Sequence, residues 1–116
     1  MNDDYMKPID KRFEKEISII ESEMNDDLIS ESDLREFLEH KYLSLGLFIH
    51  IENEKLKEII NESKQKELRL KKIYRVLSEI ESCFDKKANE VSTDELFLSI
   101  KRGREIISVK FGEDAI

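Results

Sequence analysis

The chain has few of the residues that make turns, cross-links or aromatic clusters. Its 116 residues include one proline, three glycines, one cysteine and no tryptophan. A β-sandwich of this size needs about six turns, and the glycine and proline that form such turns are missing. Glutamate, lysine and leucine, which have high helix propensity, are abundant instead. We therefore expect an all-α protein with one core and one domain over residues 1–116, and we exclude an all-β fold.

Cysteine pairs and long apolar runs are also missing. The single cysteine, Cys83, cannot form a disulfide within the chain or a metal-binding pair, which favours a reducing compartment. The N-terminal sequence MNDDYMKPID lacks the basic-then-apolar order of a secretory signal. The densest apolar stretch, residues 43–51, is far shorter than the roughly 18 residues that a membrane helix needs. We expect a cytoplasmic protein without membrane contact.

Apolar residues recur at helical spacing and predict an antiparallel bundle of about four helices. The first stripe follows Pro8 and consists of Ile9, Phe13, Ile17, Ile20 and Met24. The second helix begins at Ser30 and the last at Ser92, because an acidic residue follows each serine at capping-box spacing. Another stripe, between these two helix starts, consists of Leu70, Ile73, Tyr74, Leu77, Ile80 and Phe84.

The stretch LSLGLFIHI, residues 43–51, is apolar at every odd position and is therefore compatible with a strand or a helix. We favour helix, because apolar residues enter and leave the stretch in helical phase and turn residues are missing on both flanks. A helix that is apolar all round is expected at the centre of a bundle, with neighbours on several sides. Gly46 then marks a kink or a close helix crossing.

The sequence does not decide the secondary structure of two segments. Residues 61–67, NESKQKE, contain no apolar side chain and form either a turn or a solvated helical bridge. Residues 104–116 form a short strand, a helix continued through Gly103, or a loosely held tail.

Charge is distributed unevenly along the chain, whose net charge is −7. Residues 1–54 hold fifteen acidic and six basic residues, and residues 55–116 hold twelve acidic and fourteen basic residues. The densest acidic stretch is residues 21–39, where Arg35 is the only basic residue. Such a stretch is a solvated face, a complement to a basic helix of the same fold, or a binding site for a basic partner. The basic stretch 55–75 could bind nucleic acid, but the negative chain would be repelled by phosphate.

Arg35 and His40 match the spacing of a catalytic motif. An arginine separated from a histidine by four residues resembles the pattern of HEPN-family ribonucleases, small all-helical proteins whose arginine and histidine line an RNA-cleaving cleft. Glu36 and Glu39 depart from that pattern, because both would lie close to an RNA phosphate. The resemblance covers six residues and supports only a remote alternative.

The sequence contains no motif for a metal site or a catalytic nucleophile. Neither His40 nor His50 has a glutamate three residues before it, which excludes a carboxylate-bridged di-iron site. His50 is interpreted as a hydrogen-bonded core or boundary residue, and Cys83 as buried rather than nucleophilic. We expect no catalytic residue, no metal site and no cofactor.

With catalysis set aside, the expected function is binding. A small, acidic, cysteine-poor helical chain resembles in general character the immunity proteins that bacteria make beside colicins and contact-dependent toxins. The resemblance rests on size, acidity and the stretch 21–39, and implies a basic toxin domain, often a nuclease, as partner. The candidate partner-binding residues are Glu23, Asp26, Asp27, Glu31, Asp33, Glu36 and Glu39, with Tyr42 or another nearby aromatic residue as anchor.

The alternative is a helical regulatory or scaffolding module that contacts nucleic acid or an acidic protein through a basic helix over residues 64–75. Its candidate residues are Lys64, Lys66, Arg69, Lys71, Lys72 and Arg75. Frequent lysine, isoleucine and asparagine are compatible with an AT-rich bacterial or phage gene.

Overall fold

A computed structural model describes residues 3–62 and 68–111, which form a bundle of four α-helices. The helices are α1 (Asp3–Met24), α2 (Glu31–Glu62), α3 (Leu68–Ser82) and α4 (Thr93–Phe111), and a 3₁₀ turn at Ala88–Glu90 precedes α4. The described ranges contain no strand, so the predicted all-α class is confirmed. Over the same ranges, no helix has the length and apolar character needed to cross a bilayer.

Serine side chains begin α2 and α4, as predicted. Ser30 Oγ accepts a hydrogen bond from the Asp33 N–H at 3.1 Å, and Ser92 Oγ accepts one from the Glu95 N–H at 3.2 Å. Each bond satisfies a backbone donor that has no partner within its own helix. The two caps therefore set where the long helices start.

Helix α2 is the longest helix of the bundle and, like α4, contacts the other three helices. It runs antiparallel to α3, because His50 contacts Glu81 and Asn53 contacts Ser78, in opposite orders along the two helices. Gly46 continues this order and lies beside Phe84, two residues after α3 ends. A Cβ at Gly46 would lie 3.1 Å from Phe84 Cβ, so the close neighbour of this glycine is a side chain just after α3 and not a crossing helix. Helix α1 lies mainly against α4.

Residues 43–51 are helical, as predicted, but they do not have neighbours on all sides. Leu45 and Ile49 are fully buried, whereas Leu43 and Leu47 are each 60% exposed and Ile51 is 43% exposed. The expectation of a fully surrounded segment is therefore wrong. The buried residues share the stripe that faces the bundle, and no described element covers the opposite side of α2.

The C-terminal helix continues through Gly103 to Phe111, which confirms one of the three alternatives for that region as far as residue 111. Residues 112–116 lie outside the described residues, as do residues 63–67 of the other open segment, residues 61–67. Asn61 and Glu62 still belong to α2.

Candidate functional site

The seven predicted carboxylates lie where α1 passes into α2. Glu23 is in the last turn of α1, Asp26 and Asp27 are in the connection, and the remaining four are in the first turns of α2. Five of the seven residues are exposed, and Glu23 and Glu39 are partly buried. We call this set the acidic surface; it comprises Glu23, Asp26, Asp27, Glu31, Asp33, Glu36 and Glu39.

Most of the acidic surface is not neutralised by neighbouring cations. Glu39 pairs with Arg35, whose Nε lies 3.0 Å from Glu39 Oε1. None of the other six carboxylates forms an ion pair with a residue of the described chain. A basic helix of the same fold therefore does not complement this surface within the described ranges.

Leu28 projects from the connection between the two helices and is 94% exposed. Asp26 orders this turn: its Oδ1 accepts from the Leu28 N–H at 2.9 Å, and its backbone carbonyl accepts from the Ile29 N–H at 3.3 Å. An Asp side chain bonded to the N–H two residues on is a common turn device. The structure thus holds a large apolar side chain in solvent among carboxylates.

Sequence periodicity does not identify Leu28 as a site residue, because it lies in the short connection between two helices. The available signal was a leucine directly after two aspartates, beyond the last residue of the first stripe.

Tyr42 is not part of this surface, so the prediction that it anchors a partner is wrong. Its side chain is 2% exposed, packs 5.2 Å from the Phe84 ring and donates a hydrogen bond to the Lys86 carbonyl at 2.8 Å. It follows Leu38 by four residues and therefore points into the core with it. Burial raises the pKa of Tyr42 above its ordinary value.

Arg35 forms hydrogen bonds that hold two parts of the fold together. Its guanidinium donates to Glu39, to Thr93 Oγ1 at 3.3 Å, and to two backbone carbonyls of the segment before α4, Ala88 and Val91. These contacts use the planar array of donors that arginine offers. Arg35 thereby fastens the start of α2 to the start of α4.

His40 does not join Arg35 in a cleft. The two residues are five positions apart and so lie about 140° apart around the helix axis. His40 is exposed, whereas the guanidinium of Arg35 is turned toward the α3–α4 connection. The single chain therefore does not bring the two residues of the HEPN-like pattern onto one face.

His50 lies at an open cavity of about 500 Å³ beside α3. Its Nδ1 is 2.9 Å from Glu81 Oε1, and its side chain is 56% exposed, so it is a hydrogen-bonded surface residue and not a core residue. Ser78 and Ser82 line the same cavity, but their hydroxyls donate to the carbonyls of Tyr74 and Glu79. Neither hydroxyl donates to His50, so this His–Glu pair has no serine nucleophile aligned with it.

Cys83 is partly buried at the end of α3. Burial raises the pKa of its thiol above the ordinary value, and this outweighs the opposite effect of Arg102. A raised pKa keeps the sulfur protonated near neutral pH, where a thiolate would be the reactive form. In the part of the chain that is described, no group of three or more His, Cys, Asp or Glu residues is arranged to hold a metal ion.

A second charged feature lies between the end of α2 and the start of α3. An open cavity of about 350 Å³ is lined by Lys57, Ile60, Asn61, Lys71, Tyr74 and Arg75. Among the described residues, this lining contains three cations and no carboxylate, although the residues come from two helices. Lys64 and Lys66 of the predicted basic surface lie outside the described residues, as does the side chain of Arg69.

Comparisons with protein-family models, with curated proteins and with solved structures find no match to this chain.

Proposed function

We propose that this chain is a non-enzymatic protein-binding module that inhibits a basic toxin domain, in the manner of an immunity protein or antitoxin. The observation that carries the proposal is the acidic surface, in which six carboxylates without ion-pair partners in the described chain lie along the end of α1, the connection that holds the exposed Leu28, and the start of α2. A cytoplasmic location is part of the proposal and accords with the single cysteine.

The charge would act on the rate of association. Surface carboxylates of one sign steer a basic partner and accelerate its encounter, and the effect weakens as salt screens the field. Against a nuclease domain, the carboxylates would occupy the positions of the nucleic-acid phosphates. Such a contact blocks the partner's groove without any chemical step.

Leu28 would act on the lifetime of the complex. Apolar anchors that fill a pocket near the centre of an interface contribute a large share of its binding energy. A leucine that is almost wholly exposed in the free protein is available for such a pocket without any rearrangement of the core. It takes the anchoring role that the sequence had assigned to Tyr42.

The experiment is affinity capture from the source organism with a tagged chain, followed by identification of the bound protein and measurement of its binding kinetics. The test variant carries Glu23→Lys, Asp27→Lys and Glu31→Lys. The matched control carries Glu79→Lys, Glu90→Lys and Glu105→Lys, three exposed glutamates elsewhere with the same change in net charge.

The proposal expects a basic protein at equal stoichiometry, whose association with the test variant is slowed about tenfold or more at low salt. The control should associate nearly as fast as wild type. Equal slowing of both variants would reduce the effect to net charge and contradict a specific acidic surface. Capture of an acidic protein would contradict the proposal altogether.

A second candidate function is supported by the cavity between α2 and α3. Its three cations and Tyr74 offer charge and an aromatic face to an anionic ligand such as single-stranded nucleic acid. Salt-dependent binding of a fluorescent oligonucleotide, lost on combined Lys57→Gln and Lys71→Gln substitution, would support it. Leu43→Gln, which lies away from the cavity lining, is the control.

A further inference from the structure

One face of α2 presents apolar side chains to solvent in the middle of that helix. Leu43, Leu47 and Ile51 follow one another at intervals of four residues and therefore share one side of the helix. The row is about 12 Å long, given a rise of about 1.5 Å per residue. We call it the α2 stripe.

The acidic residues of α2 lie closer to the α2 stripe than its lysines do; Lys55 and Lys57 are about 80° from Leu47 on the helical wheel. Residues within about 60° of Leu47 on the helical wheel include five acidic residues and no lysine or arginine. All five are exposed: Asp33, Glu36, Glu54, Glu58 and Glu62. None of them forms an ion pair within the described ranges. The stripe is thus an apolar centre with a negative region at each end.

This pattern argues against a second copy of the chain as the occupant. An antiparallel copy centred on Leu47 would pair the apolar residues, but it would place Glu36 opposite Glu58 of the second copy at both ends. A parallel copy would place each acidic residue opposite itself. Either arrangement sets like charges against one another beside a small apolar contact, which opposes association.

We propose that the α2 stripe is the docking site for an amphipathic helical segment of a partner protein, one with apolar residues at its centre and lysine or arginine about two turns away on each side. Apolar side chains of the segment would pack along Leu43, Leu47 and Ile51 as in other helix-on-helix recognition. Its cations would lie against Glu36 at one end and Glu54 and Glu58 at the other. The segment's sequence pattern follows from the order acidic, apolar, acidic along α2.

This inference rests on the proposed function in one respect, namely that the partner is basic, and it adds a second contact surface on that partner. Asp33 and Glu36 belong to the acidic surface and also form the acidic region at the N-terminal end of the α2 stripe. The acidic surface and the stripe are therefore continuous. The two surfaces can be separated by mutation, since the residues exchanged in the Glu23, Asp27 and Glu31 variant lie outside the stripe and its acidic ends.

The probe is a synthetic fluorescent helical peptide with leucines at intervals of four in its middle and lysines two turns away on both sides. A second peptide carries glutamate in place of each lysine. The test variant of the protein carries Leu43→Gln, Leu47→Gln and Ile51→Gln, because glutamine preserves helix propensity and side-chain length at exposed sites. The control variant carries Ile59→Gln, Leu98→Gln and Val109→Gln, three exposed apolar residues elsewhere.

We expect the lysine peptide to bind wild type and the control variant with equal affinity, and to bind the test variant at least about tenfold more weakly. The glutamate peptide should not bind. The Glu23, Asp27 and Glu31 variant should retain peptide binding within about threefold, which would separate this result from the outcome for the proposed function. Unchanged thermal unfolding of the test variant, followed by circular dichroism, shows that the loss is local.

Four results would overturn the inference. The first is that the lysine peptide does not bind wild type, and the second is that it binds wild type and the test variant equally. The third is that the two peptides bind wild type equally. The fourth is that wild type forms a dimer in sedimentation equilibrium and the test variant does not. The last result would identify a second copy as the occupant. If the peptide fails while the native partner still depends on Glu23, Asp27 and Glu31, the docking site is wrong and the proposed function stands.

Discussion

The ring of Phe13 occupies the space that a side chain at Gly103 would need. A Cβ at Gly103 would lie 2.8 Å from Phe13 Cε1, and Phe13 is fully buried where α1 meets α4. Glycine at this point allows the aromatic ring to lie directly against the α4 backbone. The sequence suggested a helix through Gly103 but not the reason for a glycine in it.

Substitution of Gly103 by alanine is expected to destabilise the protein. Alanine gains about 1 kcal/mol of helix propensity over glycine, but overpacking of a filled core costs about 1–3 kcal/mol. We expect a net loss of about 1 kcal/mol in the free energy of unfolding, measured by urea denaturation. In a Phe13→Leu background the same substitution should become neutral or stabilising. Equal effects in both backgrounds would show that Phe13 is not the obstacle.

Helices could be predicted because apolar periodicity and serine caps are local signals. The stripe around Phe13 is buried except for Met24 at its end, and the stripe around Ile73 is buried or partly buried. Ser30 and Ser92 cap the helices that they were predicted to cap. These features depend on residues that are close together in the sequence. They can therefore be predicted without knowledge of the tertiary structure.

Which face of a helix is covered is not a local property. Residues 43–51 are apolar all round, so periodicity could not show that Leu47 faces solvent while Ile49 faces the core. Arg35 illustrates the same limit, since its carbonyl partners Ala88 and Val91 are more than 50 residues away in sequence. Such contacts depend on the packing of α2 against the α3–α4 connection.

Arg35 is expected to contribute to stability through geometry rather than charge. The Arg35→Lys variant keeps the positive charge but loses the planar donors that reach Ala88 and Val91. Hydrogen bonds from a charged group contribute about 1.5–3 kcal/mol, so we expect a loss of about 2 kcal/mol in the free energy of unfolding. Arg75→Lys, at an exposed position, is the control and should be nearly neutral. Unchanged stability of Arg35→Lys would mean that charge alone suffices.

Because Tyr42 is buried, we expect the protein to lose stability at alkaline pH. Burial raises its pKa in the folded state above the ordinary value of 10.0, so folding favours the neutral phenol. The resulting contribution is fully present below pH 10 and is lost as pH rises through the folded-state pKa. Cys83 acts in the same direction from its ordinary value of 9.0, because burial raises its pKa too.

The measurement is the free energy of unfolding of wild type, Tyr42→Phe and Cys83→Ser between pH 7 and pH 11. Tyr42→Phe should be about 1 kcal/mol less stable at pH 7, because it loses the hydrogen bond to the Lys86 carbonyl. Its stability should fall less steeply than that of wild type above pH 10, and that of Cys83→Ser less steeply above pH 9. Parallel curves for all three proteins would show that neither group is responsible.

Leu28 and the acidic surface are expected to affect different rate constants of partner binding. Removal of carboxylates weakens long-range attraction and slows association, whereas removal of an anchor leaves the encounter unchanged and speeds dissociation. For the captured partner, Leu28→Ser should raise the dissociation rate about tenfold and leave the association rate within about twofold. Because Leu28 is 94% exposed, this substitution should not alter thermal unfolding. Leu98→Ser, at another exposed leucine, is the control; an equal effect there, or an effect of Leu28→Ser on association alone, would remove Leu28 from the interface.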